Sequence, residues 1–215
     1  MAPTLISATP SAYARINRIA FMEKGVDFTL QNEVPWNGEE TQTPKYNPLE
    51  KLPILILEDG NVLYDSSHIQ EYILHKYADK GPSLMPEGFE AQLRAKQIQV
   101  LAQGHMDAMA LQFFETSREH SSPEWLARQS RKIEGAMRAY SDSVKAANGG
   151  WLVGGVYSIA DIAVGCAVDW VDFFGLCTGW REKYAELAKW YEQLSQRETF
   201  QKTKPVMFDM KDKIV

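Results

Sequence analysis

Cysteine is scarce in this chain: Cys166 and Cys177 are the only two among 215 residues. Two thiols cannot build a disulfide scaffold, and their scarcity fits a reducing compartment, so a cytoplasmic location is expected. Basic side chains are outnumbered, 23 against 28 acidic ones, giving a formal net charge of −5. That balance disfavours nonspecific attraction to nucleic-acid phosphates or anionic lipid. No apolar run approaches the ~20 residues needed to cross a bilayer. The opening MAPTLISATPSAYAR lacks the basic start and long apolar centre of a secretory signal. Internal repeats and low-complexity tracts are also missing. What remains is ordinary globular composition, 45% hydrophobic and 24% charged, which excludes disorder and fibrous architecture.

The hydrophobic period changes repeatedly through the first part of the chain. Thr4 to Ser7 reads as a strand, and Ala8-Thr9-Pro10-Ser11 as turn and helix-start chemistry. From Ala12 to Lys24 the apolar residues recur at helical spacing until Gly25 stops them. Val26 to Leu30 alternates like an edge strand, and a proline-rich loop with room for one short helix fills Glu33 to Pro48. Pro53 to Leu57 and Val62 to Tyr64 flank Asp59-Gly60 as a hairpin. Ile69, Tyr72, Ile73 and Tyr77 then mark one face of a helix capped by Asp65-Ser66-Ser67. A crossover helix between the first two strands implies a parallel pair, and the later hairpin adds antiparallel strands.

Residues 81–88 are rich in helix breakers and read as a linker. Beyond them the strand patterns vanish. Helices are expected over Phe89 to about Arg118, Glu124 to Ala147, Ile159 to Phe174 and Tyr184 to Arg197, the third being the most apolar. The domain reading is therefore 1–80 as an α/β unit and 89–215 as an all-helical unit.

Three local patterns, in this order, resemble the cytosolic glutathione S-transferase superfamily. Asn47-Pro48-Leu49-Glu50-Lys51-Leu52-Pro53-Ile54-Leu55 is similar to the family's N-P-x-G-K-V-P-x-L stretch. Asp65-Ser66-Ser67-His68-Ile69 resembles its E/D-S-x-x-I helix start, and Ser158-Ile159-Ala160-Asp161 its S/T-x-x-D box. The resemblance implies an α/β thioredoxin-like N-terminal domain followed by an all-α C-terminal domain. It also implies glutathione as co-substrate, no metal, and a homodimer. By the same resemblance the Leu52–Pro53 bond is cis, so that the Leu52 peptide groups pair with the cysteinyl backbone of glutathione. Ser66 then binds the γ-glutamyl carboxylate, Asp65 helps hold that end, and Lys51 meets the glycyl carboxylate. An ordinary trans proline opening a strand, simple helix capping and an exposed lysine are the structural alternatives at these positions. Ser158 and Asp161 read as a capping box, a folding device.

The resemblance places the thiol-activating group at the turn after the first strand. Ser11 is the first choice there, with Thr9 and Tyr13 as alternatives; the competing role for Ser11 is a helix N-cap. With no cysteine in the first eighty residues, mixed-disulfide chemistry is disfavoured. Glu50 departs from the family's glycine. The electrophile pocket is expected between the two units, lined by Tyr13, Trp36, His105, Met109, Phe113 and Phe114, unless these side chains are interface core. Their bulk points to a small apolar electrophile of aromatic character. The implied activity is conjugation of glutathione to such an electrophile. The alternatives are glutathione-dependent isomerisation, a step in secondary metabolism, or noncatalytic ligand binding.

Overall fold

The computed structural model describes residues 2–36 and 41–207; residues 37–40 of the long loop, and the chain after 207, lie outside the described residues. Two units emerge. One comprises the chain up to Ser83 and takes back the segment from Lys202; the other is Leu84–Gln201.

In the first unit, β1 (Thr4–Ser7) is followed by α1 (Ala12–Glu23), β2 (Thr29–Asn32), α2 (Thr43–Tyr46), β3 (Ile54–Ile56), β4 (Val62–Leu63) and α3 (Ser66–Lys76). The sheet order is β2-β1-β3-β4. β1 runs parallel to β2 and antiparallel to β3, in the register Ile6↔Ile54, and β3 and β4 form the hairpin. These orientations follow from the chain lengths available: a helix joins β1 to β2, and a tight turn joins β3 to β4. β2 begins three residues later than the alternating stretch suggests. Val26 is held by the end of α1, its N–H donating to the Phe21 carbonyl at 3.0 Å, so pairing starts only at Thr29. All of β2 is exposed, as an outer strand can be. Ile16, Ile19, Ala20 and Phe21 of α1 and Ile69 and Ile73 of α3 are fully buried, and the two helices pack on each other.

The helical unit contains α4 (Phe89–Thr116), α5 (Pro123–Ala146), α6 (Ile159–Phe173), α7 (Trp180–Lys183), α8 (Ala185–Ser195) and α9 (Glu198–Lys202). α6 is its buried axis, without water contact worth the name from Ile159 to Val168. Its start is a capping box: Ser158 Oγ accepts from the Ala160 N–H, while Asp161 accepts from the Ser158 N–H at 2.9 Å. Asp161 also accepts from the Leu152 N–H at 2.9 Å, which ties the preceding loop to the helix. Burial pushes this carboxyl up to about 6, against the pull of those donors. None of the helices among the described residues is long and apolar enough to cross a membrane.

Two features differ from the sequence reading. The helix expected over 184–197 is α8, but two short helices that were not expected flank it, α7 before and α9 after, with Tyr184 leaving helical geometry at φ −125°, ψ 58° between α7 and α8. The expected helical domain, 89–215, does not keep its last stretch. From Lys202 the chain returns to the first unit, where Thr203 Oγ1 accepts from Arg15 Nε at 3.1 Å and the Val206 N–H donates to the Thr9 carbonyl at 3.2 Å. Arg15 is buried, so its guanidinium needs such partners.

Two outcomes are expected for stability. A Cβ at Gly165 would lie 2.4 Å from Leu194 Cδ2 and 2.7 Å from the Phe200 ring, whereas one at Gly135 meets nothing within 4 Å. Gly165→Ala should therefore cost roughly 1–3 kcal/mol in urea unfolding. Gly135→Ala should add up to about 1 kcal/mol, since alanine is the better helix former. The second outcome concerns Glu134, which accepts from Lys183, Tyr184 and, at 3.1 Å, the Cys177 thiol. The Lys183 and Tyr184 bonds lead in holding its carboxyl down to about 2. A depressed carboxylate stabilises the fold above its ordinary range and loses that contribution as pH falls through the folded value. Glu134→Gln should accordingly flatten the loss of urea midpoint between pH 4.5 and pH 2 relative to the parent.

Candidate functional site

Helix α1 begins where β1 ends, and Ser11 is its N-cap: Oγ accepts from the Ala14 N–H at 3.2 Å. A hydroxyl has two lone pairs and one proton, so capping uses an acceptor site and not the O–H. Ser11, Thr9 and Tyr13 are all half-buried. Thr9 sits inside the turn closed by the Ser11 N–H on the Ala8 carbonyl at 3.0 Å, and caps nothing. Tyr13 lies in the first turn of α1, with a carbonyl that reaches beyond its own helix.

The antiparallel register carries the Leu52–Pro53 segment to the same end of the sheet. Ile6 faces Ile54, and the ladder stops there, so Leu52 lies beyond its last rung, toward the turn that carries Ser11. The Leu52–Pro53 peptide bond is cis. Asn47 organises the loop before it. Its side chain donates to the Lys51 carbonyl at 2.8 Å and accepts from the Leu49 N–H at 3.0 Å, and it is buried. Glu50, at the turn tip, has φ +52°. That left-handed geometry is open to glycine and costly for a side chain, which accounts for glycine in the family pattern. Lys51 is exposed, Leu52 half-buried and Pro53 buried.

Asp65 caps α3, accepting from the Ser67 N–H at 3.0 Å and from its hydroxyl at 2.5 Å. The first-turn N–H groups behind it have no intrahelical acceptor, and the helix end carries positive partial charge. Ser66 is 3% exposed, and its hydroxyl is turned inward and donates to the Tyr13 carbonyl at 2.8 Å. The Ser66 hydroxyl is thus engaged within the fold, while its backbone amide lies in the first turn of α3. The same bond fastens the start of α3 to the start of α1, so Ser11, Leu52-Pro53 and Asp65-Ser66 share one end of the first unit. Asn17, which sequence reasoning passed over, is buried beside this contact; an uncharged polar residue among the apolar positions of α1 was the available signal.

The expected electrophile residues divide differently. Trp36 and Tyr13 are half-buried in the first unit. In the helical unit, His105 and Met109 are 2% and 0% exposed. His105 Nδ1 lies 3.1 Å from the Tyr140 hydroxyl, and burial drives the imidazole down to about 3, keeping it neutral. Side chains that water does not reach line no open space, so these two leave the pocket list. Phe113 and Phe114 are half-buried and belong to a cluster of rings. Phe113 stands 5.5 Å from Phe114 and 5.0 Å from Phe174, which in turn touches Trp170 and Phe173. The Phe173-Phe174 pair was a further apolar signal at the end of the core helix.

Residues 10–76 match the glutathione S-transferase N-terminal domain family, and 123–193 the C-terminal domain family. An uncharacterized GST-like protein of Escherichia coli K12, YibF, is 32% identical over 208 residues, covering 94% of this chain and 98% of its own. A glutathione S-transferase of Methylobacterium radiotolerans, solved in complex with glutathione sulfonate, superposes with a TM-score of 0.91 at 39% identity over the whole of both chains. Another, from Methylobacillus flagellatus with glutathione bound, gives 0.88 at 30% identity, covering 95% of this chain and 100% of that one.

The loop geometry leads to a paired test. Glu50→Gly should stabilise the fold by about 1 kcal/mol by relieving the left-handed side-chain cost. Asn47→Ala should destabilise it by roughly 2 kcal/mol, through two lost hydrogen bonds at a buried site. Chemical denaturation of the three proteins reads both.

Proposed function

Because this chain belongs to the glutathione S-transferase superfamily, we propose that it binds glutathione at the shared end of β1, α1 and α3 and transfers the tripeptide's thiolate to an apolar electrophile. The observation that carries the reading is Ser11: a half-buried hydroxyl at a helix N-terminus whose capping bond leaves its proton to donate.

A glutathione thiol with the reference value of ~8.5 is only a few per cent ionised at neutral pH. Lowering that by about two units needs ~2.7 kcal/mol of preference for the thiolate. A donated hydroxyl proton and the positive end of α1 are of the right size to supply it together. The Leu52 peptide groups pair with the cysteinyl backbone in the manner of an added strand. Lys51 meets the glycyl carboxylate, the first-turn amides of α3 meet the γ-glutamyl carboxylate, and Asp65 meets the neighbouring ammonium. The thiolate lone pair forms a carbon–sulfur bond, and the electrophile either expels a leaving group or takes up a proton. The half-buried rings of Tyr13 and Trp36, in the same unit as Ser11, support an aromatic character for that electrophile.

A cytoplasmic homodimer completes the proposal. Phe89, Leu93, Val100 and Leu111 recur along one side of α4 and are each more than 40% exposed, an apolar stripe that pairing would cover.

Retention on immobilised glutathione and turnover of a chloronitroaromatic probe are the expected outcomes. Ser11→Ala should lower turnover at least tenfold, and raise the thiol pKa of bound glutathione, while binding is kept. Loss of turnover in Thr9→Ala instead would move the activating hydroxyl to Thr9. A folded protein that neither binds glutathione nor turns over the probe sinks the proposal.

A further inference from the structure

The contact between α1 and α3 contains a residue whose chemistry folding alone does not require. Asn17 is 0% exposed. Its Nδ2 donates to Ser66 Oγ at 3.3 Å and lies 3.5 Å from the Tyr13 carbonyl. Ser66 Oγ in turn donates to that same carbonyl at 2.8 Å. The three groups close a small hydrogen-bonded triangle in which the Ser66 hydroxyl both gives and receives. On its other side the carboxamide is unsatisfied: Asn17 Oδ1 is buried and has no hydrogen-bond partner among the described residues.

A buried acceptor left without a donor weakens a fold, and a leucine of similar volume between two packed helices would not carry that burden. The amide must therefore be explained by what its N–H groups do. They fix the rotamer of Ser66, the first residue of α3, and Ser66 is fastened to Tyr13, two residues after the Ser11 cap. We propose that Asn17 is a positioning residue for glutathione, holding the carboxylate-facing amides of α3 in register with the thiol-facing start of α1. The proposal rests on the glutathione-binding reading above. It adds to that reading a residue that touches neither glutathione nor the electrophile and acts only through Ser66. Register matters here because a tripeptide that contacts both helix starts tolerates little change in their separation.

The test is glutathione binding by calorimetry, with steady-state kinetics, on the full chain and on Asn17→Leu, Asn17→Ala, Ser66→Ala and the double variant Asn17→Leu/Ser66→Ala. Asn17→Leu should weaken glutathione binding about tenfold and raise KM for glutathione in step, with kcat at saturation changed less than threefold. Its melting temperature should stay within about 3 °C of the parent, since the lost unsatisfied acceptor offsets the lost donors. Asn17→Ala covers the case in which leucine does not fit. Because both residues act through one contact, the double variant should bind no more than about twofold worse than the weaker single variant. Unchanged or tighter binding in both Asn17 variants overturns the proposal, as does a double variant whose losses multiply. If the parent chain itself does not bind glutathione, the functional reading has failed, which is a separate and recognisable result.

Discussion

β1 is bonded along both edges, parallel to β2 and antiparallel to β3, and the candidate site depends on that double pairing. The parallel edge requires a helix to bring the chain back, so α1 must start at the end of β1 and present Ser11 there. The antiparallel edge reverses direction, so the residues before β3 reach that same end, and Leu52-Pro53 arrives beside the first turn of α1. A slip of one residue in the Ile6↔Ile54 register would turn the buried side chains of β3 to the opposite face. Leu5, Ile6, Ile54 and Leu55 are all fully buried, which makes such a slip expensive and the placement of the site correspondingly fixed.

The elements with strong hydrophobic periodicity were legible in the chain itself. α1, α3, α4, α5 and α6 fall within a few residues of the stretches whose apolar spacing announces them, and the sense of each strand pairing follows from the length of its connection. The Ser158–Asp161 box was readable because it is local: cap and acid belong to one turn. Failures came where a distant partner decided the outcome. Val26 looks like a strand residue but is taken by the end of α1. The short α7 went unread ahead of Tyr184, whose hydroxyl meets Glu134 on α5, a relation that no local periodicity encodes. His105 and Met109 carry the right chemistry for a binding pocket, yet they point into the interior, because an apolar side chain at helical spacing looks the same in sequence whether it faces protein or ligand.

Ser66 shows the same limit inside the site. The motif correctly marked the start of α3, but a serine there can cap, bind an anion or bridge to a neighbouring helix. Only the Tyr13 carbonyl at 2.8 Å decides for the bridge. Asn47 and Asn17 likewise act through carboxamide bonds to groups fixed by tertiary structure, one holding the loop before Pro53 and the other the seam between α1 and α3. Both are buried polar residues, and such residues are informative because their satisfaction has to be arranged.

The return of the chain from Lys202 makes the first unit discontinuous in sequence. Thr203 reaches the buried Arg15 guanidinium, and Val206 reaches the carbonyl of Thr9, across nearly the whole length of the polypeptide. During synthesis the ribosome releases the strands and helices of this unit long before those two contacts can form. The turn that bears Ser11 is thus tied down only after the helical unit has been made, so the order of synthesis leaves the start of α1 to be finished last.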